Sequence, residues 1–310
     1  MKLLSIVIPM YNEEKVADTC YERVKSVVSG ITTMEHEIIF INDGSKDNTF
    51  QALISIAEKD RRVKVINFSR NFGHQIAITA GTDLSSGDAV IVMDADMQDP
   101  PELIPRFLEK WTEGFRVVYA KRTRRKGESG FKLLTASLFY RILKKLTDIQ
   151  IPLDTGDFRL MDRKVVDELK KLRETNRFVR GLVSWIGFRQ TFVEYERDVR
   201  YAGVTKYPLR KMIRFALDGI TSFSDRPLKI ALNFGFLSLC IGLLLIIYAI
   251  VSKVYYPETT ISGWTSLLII VVFFGGVQLL TIGIVGEYVG RIYDQSKKRP
   301  LYIIEEIVNG

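Results

Sequence analysis

The amino-acid sequence predicts an α/β domain with a doubly wound, largely parallel sheet, followed by two membrane-spanning helices. Strand, polar loop and helix recur three times within the first part of the chain. The next apolar run, Ala-Val-Ile-Val-Met from Ala89, is too short for a helix core and predicts a buried central strand. Two apolar runs near the other end of the chain are long enough to cross a bilayer.

Composition and charge narrow the class of protein. The net charge is +8, and the basic residues cluster at 121–126, 206–214 and 291–299 rather than coating one face. This pattern favours phosphate-bearing substrates and a membrane surface over nucleic acid. Cys20 and Cys240 provide no disulfide framework, and the apolar run at the N-terminus is too short for a signal peptide. We therefore expect the catalytic part of the chain to stay in the cytosol.

The first three predicted strands each end in a polar loop. They cover Leu3–Pro9, His36–Ile41 and Val63–Phe68, and a helix follows each loop. The carboxyl ends of parallel strands meet at one edge of a sheet, so the loop side chains should converge on one crevice. The side chains expected there are Tyr11, Asn12, Glu13, Asp43, Asn71 and Asp94.

The central strand delivers Asp94 and Asp96 at its carboxyl end. Carboxylates two residues apart on an extended chain point the same way and can share one hard cation. A divalent metal there would neutralise a departing diphosphate, although an isolated D-x-D pair also occurs often by chance. The next residues predict a helix start, with Asp99 as N-cap, Pro100 at the first helical position and Glu102 completing a capping box.

The α/β alternation continues after the central strand. Val117–Ala120 predicts a strand that leads into the basic run Lys121–Lys126, and Asp154–Met161 predicts a polar turn that enters a short strand. Lys164–Leu172 and Phe178–Ile186 have the spacing of amphipathic helices.

The last third of the chain predicts attachment to a membrane. Residues 208–226 have the composition of an interfacial helix, although a core-packed helix would look similar. The runs 230–251 and 264–285 predict a transmembrane hairpin, whose ends are basic and whose loop holds one lysine. Both chain termini should therefore face the cytosol. The expected division is a catalytic domain at 1–207, the interfacial helix, and the hairpin with its tail at 227–310.

Six motifs carry a resemblance to a known family: IVIPMYNEE, FINDGSKDNT, SRNFGHQ, DADMQDPPE, GDFRLMDR and YAGVTKY. Over essentially its full length the chain resembles polyprenyl-phosphate glycosyltransferases of the GtrB-type bactoprenol glucosyltransferase group, and more distantly dolichyl-phosphate mannose synthase. The resemblance implies a GT-A fold and transfer of one hexose, with inversion, from a UDP-sugar to undecaprenyl phosphate. It also implies Mg²⁺ or Mn²⁺, a homotetramer, and a bacterial cytoplasmic membrane. UDP-glucose is the first choice of donor.

The same resemblance implies a set of site residues. The nucleotide-sugar would be held by Pro9, Tyr11, Asn12, Glu13, Asp43, Asn71, Asp94 and Arg122. The metal would be held by Asp94, Asp96 and Gln98. Asp96 and Asp157 would be catalytic, with Asp157 beside the acceptor phosphate, and Arg200 and Lys206 would lie near the phosphates.

Two roles are open for Asp157. A lipid phosphate has a second pKa of about 6 and needs little activation at neutral pH. Asp157 would then orient Arg159 or the sugar hydroxyls, whereas the resemblance favours a general base. His74 is interpreted first as a structural hydrogen-bonding residue and second as a ligand. Glu287 and Arg291 are interpreted first as an i,i+4 helix pair and second as acceptor-handling groups.

Other functions stay open at this point. The donor could be UDP-N-acetylglucosamine or another nucleotide hexose. A processive polysaccharide synthase is disfavoured because two spans form no obvious pore and no Q-x-x-R-W motif occurs. A non-catalytic membrane partner in lipid-linked sugar assembly would keep the fold without turnover, and the intact Asp94, Asp96 and Asp157 speak against that role.

Overall fold

The computed structural model describes residues 1–123, 155–196, 224, 226–255 and 263–310. The chain divides into two compact units. The first unit contains the N-terminal α/β part together with the last residues, from Arg299 to Gly310. The second contains the two long apolar helices.

A mixed sheet of eight strands forms the centre of the first unit, in the order β7-β5-β6-β4-β1-β2-β3-β8. The strands are β1 (Lys2–Met10), β2 (Met34–Asn42), β3 (Val63–Phe68), β4 (Ala89–Val92), β5 (Val117–Arg122), β6 (Thr155–Asp162), β7 (Gln190–Tyr195) and β8 (Ile304–Val308). The helices of this unit are α1 (Ala17–Ser29), α2 (Thr49–Lys59), α3 (His74–Leu84), α4 (Ile104–Thr112), α5 (Arg163–Lys171) and α6 (Val179–Ile186). The predicted alternation of strands and helices is confirmed.

The sheet is largely parallel, as predicted. Strands β4, β1, β2 and β3 run in one direction, and β7 is parallel to β5. Strand β6 is antiparallel to both of its neighbours, β4 and β5. Its register places Arg159 opposite Val92, so the start of β6 lies beyond the carboxyl end of β4. Asp157 and Asp94 are thereby brought to the same edge of the sheet.

The core consists of apolar residues of the strands and of the helix faces packed on them. All four residues of β4 are buried, which fits the unbroken apolar run in the sequence. Phe107 of α4 packs against Phe158 of β6, with ring centroids 4.9 Å apart. A Cβ added at Gly81 would lie 2.2 Å from Val7 Cγ1, so this glycine lets α3 approach β1 closely.

The predicted capping box after the central strand is wrong. A short 3₁₀ turn, Pro101–Leu103, precedes α4, and Pro100 before it is extended and provides no side-chain cap. The Asp99 carboxylate accepts a hydrogen bond from the Tyr195 hydroxyl instead. Glu102 forms a two-pronged ion pair with Arg23, at 2.9 Å for both contacts. Both side chains therefore interact with residues that are distant in sequence and do not cap the helix.

Two strands were not predicted. Strand β7 follows α6 and lies at one edge of the sheet. Strand β8 lies at the opposite edge and is antiparallel to β3. After the second apolar helix the chain thus returns to the sheet of the first unit and adds its edge strand.

The second unit contains α7 (Arg226–Tyr255) and α8 (Trp264–Ser296), both longer than the predicted spans. Each helix is long and apolar enough to cross a membrane. Large apolar side chains such as Leu232 and Leu279 are more than two-thirds exposed, which is typical of a lipid-facing surface. Glu287 accepts a hydrogen bond of 2.9 Å from Arg291, which confirms the helix pair. The predicted interfacial helix lies almost wholly outside the described residues.

Candidate active site

The loops after β1 and β2 hold each other through side chain-to-backbone hydrogen bonds. The Asn12 backbone has a φ of 53°, in the left-handed region that asparagine tolerates. Its Oδ1 accepts from the Lys46 amide at 2.8 Å, and its own amide donates to Ser45 Oγ at 3.0 Å. The Glu13 amide donates to Thr49 Oγ1 at 2.9 Å. The predicted donor-site residues of these two loops therefore lie in one connected structure.

Asp43 joins the β2 loop to the loop after β3. Its carboxylate accepts from the amides of Phe72 and Gly73, at 2.7 and 3.0 Å, and from Asn71 Nδ2 at 2.9 Å. Burial raises the pKa of the Asp43 carboxyl, while the two backbone N–H groups oppose that shift. A Cβ on Gly44, whose φ is 61°, would lie 2.4 Å from a carbonyl carbon of the facing loop. Glycine is therefore required for this close approach.

His74 lies between two carboxylates at the edge of the sheet. Its Nε2 is 3.3 Å from Asp94 Oδ1 and 3.3 Å from Asp157 Oδ2. The candidate ligand atoms of these residues all lie within 4.8 Å of one another, so the group could hold a metal ion. Asp94 Oδ1 is buried and makes no hydrogen bond with the residues that the structure describes.

The charges in this cluster shift each other's protonation. Burial disfavours the charged imidazole, but the hydrogen bond to Asp157 and the charges of Asp94 and Asp157 raise the pKa of His74 to about 9. Burial raises the pKa of Asp94 to about 6, although the charge of His74 opposes the shift. Burial also opposes ionisation of Asp157, but Arg180 and His74 hold the pKa of its carboxyl well below the usual range. The protonated imidazole of His74 therefore supplies positive charge between the two carboxylates, and a metal cation would suit the same position.

Arg180, at the start of α6, is the main partner of Asp157. Its Nε and Nη2 contact the two carboxylate oxygens at 2.8 and 3.1 Å, and its Nη1 donates to the Thr155 carbonyl at 2.9 Å. Gln75 Nε2 donates to Asp157 Oδ2 at 3.2 Å. Arg159 is farther away, with 3.8 Å between its Nη2 and Asp157 Oδ1. Asp157 therefore interacts more strongly with Arg180 than with Arg159.

Arg122 is held in a second, buried cluster. Its Nη2 lies 3.7 Å from Asp99 Oδ1, and its Nε donates to the Tyr195 hydroxyl at 3.1 Å. Asp99 is fully buried, and its Oδ2 has no hydrogen-bond partner among the described residues. A Cβ on Gly156 would lie 2.7 Å from Arg122 Nη2. In this structure the guanidinium thus faces Asp99 and Tyr195, beside the residue that precedes Asp157.

The structure brings together most of the site residues that the sequence predicts. Pro9 pairs with Ile41 in the parallel register of β1 and β2, one residue before the end of β1, and Tyr11 follows in the loop. Asp96 Oδ1 accepts from the Gln98 amide at 3.2 Å, and the metal set of Asp94, Asp96 and Gln98 stays a prediction. Arg200 and Lys206 lie outside the described residues.

Sequence reasoning missed Arg180 and ranked His74 too low. A signal for Arg180 was present, because it is the single charge in the run Phe-Val-Arg-Gly-Leu-Val. Its neighbours Val179, Gly181 and Leu182 are buried, so a charged side chain there needs a partner. Nothing in the local pattern around His74 indicated its two carboxylate partners.

Comparisons with known proteins agree with this architecture. The model of the family described as Glycosyl transferase family 2 matches residues 5–170. Glycosyltransferase YkcC of Bacillus subtilis (strain 168) is 56% identical, over 97% of this chain and 93% of the relative. The bactoprenol glucosyl transferase of Shigella phage SfV is 43% identical, over 97% and 98% of the two chains.

Among solved structures, glucosyl-3-phosphoglycerate synthase from Mycobacterium tuberculosis is 18% identical, with a TM-score of 0.47, over 71% of this chain and 78% of that one. The assignment depends on the family match and the sequence relatives. Together with the mostly parallel sheet, they show that the chain has a GT-A-type α/β fold. It belongs to glycosyl transferase family 2, among the relatives of the bactoprenol glucosyl transferases.

Proposed function

We propose that the protein is a membrane-bound, inverting glycosyltransferase that requires a divalent metal. It moves one hexose, glucose as first choice, from a UDP-sugar to undecaprenyl phosphate or another polyprenyl phosphate. The products are the polyprenyl-phosphate sugar and UDP. The observation that carries this proposal is the similarity to a bactoprenol glucosyl transferase over 97% of the chain, which extends through the two apolar helices as well as the catalytic sheet.

The residues present at the sheet edge fit a metal. Asp94 has a buried carboxylate oxygen that lies 3.3 Å from His74 Nε2 but makes no hydrogen bond within the described part of the chain. Carboxylate and amide carbonyl oxygens suit Mg²⁺ and Mn²⁺. Asp94 would hold the ion, with Asp96 and Gln98 from the same loop. When bound, the ion would neutralise the diphosphate as it leaves.

The acceptor supplies its own nucleophile. In its dianionic form a phosphate oxygen attacks the anomeric carbon from the face opposite the diphosphate. The new carbon–oxygen bond forms as the bond to UDP breaks, and the electron pair leaves with UDP. No proton has to be removed from the acceptor. The chain would therefore contribute position and charge, through Asp157 with Arg180, and through Arg200 and Lys206.

The two apolar helices would keep the enzyme where its lipid substrate is. Each is long and apolar enough to cross a membrane. We place the protein in a bacterial cytoplasmic membrane, with the catalytic unit and both termini in the cytosol. We also propose that the protein assembles as a homotetramer.

Mass spectrometry of the lipid product tests the function. The full-length protein in detergent would receive undecaprenyl phosphate, Mn²⁺ and an equimolar mixture of UDP-glucose labelled with ¹³C in its sugar, unlabelled UDP-N-acetylglucosamine and unlabelled UDP-galactose, so that the three products differ in mass. We expect one hexosyl undecaprenyl phosphate, with glucose as the sugar. An N-acetylhexosyl product would identify UDP-N-acetylglucosamine, and not UDP-glucose, as the donor. Absence of any glycolipid, with intact binding of undecaprenyl phosphate, would favour a non-catalytic partner in lipid-linked sugar assembly.

A further inference from the structure

We infer that Tyr302, in the C-terminal tail (Arg299–Gly310), is a positioning residue of the donor site. The inference rests on the proposed function, because it assigns the UDP moiety to the loops after β1, β2 and β3. The tail follows the second long apolar helix directly, since α8 ends at Ser296. A segment far from the donor motifs in sequence would thus shape the pocket that they form.

The tail contacts the end of β3 and the loop that follows it. The ring of Tyr302 stacks on that of Phe68, with centroids 5.5 Å apart and an interplanar angle of 14°. The Ser69 amide donates to the Ile303 carbonyl at 3.1 Å, which extends the β3–β8 pairing into this loop. Phe68 is 1% exposed, so the stacked contact with Tyr302 is part of a buried surface.

The contact continues from Phe68 to the donor loop, Ser69–Gly73. The ring of Phe72 meets that of Phe68 edge-on, with centroids 5.5 Å apart and an angle of 85°. The Phe72 amide donates to Asp43 Oδ1 at 2.7 Å. Two ring contacts, Tyr302 with Phe68 and Phe68 with Phe72, therefore connect the tail to the residue whose backbone N–H binds the Asp43 carboxylate.

Tyr302 itself is held at its other end. Its hydroxyl donates to Asp83 Oδ2 at 3.0 Å, and Arg173 binds the same oxygen at 2.6 Å. Asp83 lies in α3, the helix that begins at His74. The hydroxyl thus anchors the ring at its outer edge, while the stacking on Phe68 is the contact that leads to the donor loop.

A second anchor of the tail provides a matched control. At the far end of β8, Asn309 Nδ2 donates to the carbonyls of Ala57 and Val63, at 2.7 and 3.0 Å. Val63 begins β3, at the end opposite the donor loop. Loss of this anchor would weaken the tail without touching the Phe68–Phe72 pair.

Calorimetric titration of the full-length protein in detergent with UDP and Mn²⁺ tests the inference. Tyr302→Ala should raise the Kd for UDP about three- to tenfold, the effect expected from one aromatic pair. Tyr302→Phe keeps the ring and should bind within about twofold of the unmodified protein. Asn309→Ala should likewise leave the Kd for UDP close to that of the unmodified protein. Thermal unfolding of all variants shows how much each substitution lowers stability.

A Tyr302→Ala protein that binds UDP like the unmodified one overturns the inference. It is also overturned if Asn309→Ala raises the Kd as much as Tyr302→Ala, because the tail would then act only through stability. Failure of the unmodified protein to bind UDP would contradict the proposed function itself, and the inference would fall with it.

Discussion

Two carboxylates at the same sheet edge are held in different ways. Asp43 accepts from two backbone amides and one side-chain amide, all in the loop after β3. Asp157 is held by the Arg180 guanidinium, by Gln75 and by the His74 imidazole, from elements distant in sequence. Burial raises the pKa of the Asp43 carboxyl, and its neutral amide donors do not fully offset this shift. At Asp157 burial acts in the same direction, but the charges of Arg180 and His74 outweigh it and lower the pKa.

We propose that this difference corresponds to two roles in the site. The half around Asp43 is a rigid backbone frame that suits a nucleotide. The half around Asp157 is a network of charges that suits a sugar and two phosphates. A carboxylate with a bidentate arginine and a lowered pKa is a poor proton acceptor at neutral pH. The structure therefore favours an orienting role for Asp157 over a general base.

The largest effect is expected at Asp94, which lies in the cluster with His74 and Asp157. Asp94→Asn should lower turnover at least about 10³-fold, because a neutral amide binds Mg²⁺ or Mn²⁺ poorly and leaves the diphosphate charge uncompensated. A chelator should have the same effect on the unmodified enzyme. Asp167→Asn is the matched control, since that exposed carboxylate pairs only loosely with Arg163, at 3.9 Å. Unchanged turnover of Asp94→Asn at saturating metal would show that Asp94 does not hold the metal.

A smaller loss is expected at Arg180. Arg180→Gln should lower kcat about 10- to 100-fold, because charge-assisted hydrogen bonds to Asp157 are lost. Arg180→Lys should restore little, since lysine cannot bind both oxygens in the same plane. The Kd for UDP should stay unchanged, which separates this half of the site from the donor half. Arg189→Gln, at an exposed arginine over the Phe115 ring, serves as control. A raised Kd for UDP with normal kcat would contradict this prediction, because Arg180 would then act in donor binding.

The smallest effect on chemistry is expected at Asp43. Asp43→Asn places an amide against backbone N–H groups, so at least one hydrogen bond to the donor loop is lost. The Kd for UDP should rise about tenfold, while kcat at saturating donor stays within about twofold. Calorimetric titration with UDP measures the Kd, and steady-state kinetics with varied UDP-sugar measure kcat. If kcat fell and the Kd did not change, Asp43 would belong with the catalytic half.

The parts of the fold that the sequence predicted depend on short-range patterns. Val63–Phe68 agrees with β3 because apolar runs and polar loops are local signals. Asp99 was assigned as N-cap, but its carboxylate binds Tyr195, which is far away along the chain. Strand β8 was missed because its partner, β3, is more distant still. Local propensity does not report such contacts.

The candidate site was predictable to the same extent. The loop residues Asn12, Asp43 and Asp94 follow strands whose order fixes their position at one edge. The interaction of Asp157 with Arg180 depends on how α6 packs beside the start of β6. This packing leaves no pattern in the sequence, so the contact between the two side chains is visible only in the structure.

The pH dependence of the Asp157→Asn enzyme tests the account most directly. With Asp157 as an orienting group, the unmodified enzyme should gain rate as the acceptor phosphate ionises, near pH 6. Asp157→Asn should keep that rise at an amplitude about tenfold lower, with the same anomer as product. A general base is typically worth 10²–10⁴-fold. A mutant whose residual rate is flat across the ionisation of the acceptor, with a loss of that size, would contradict the orienting role.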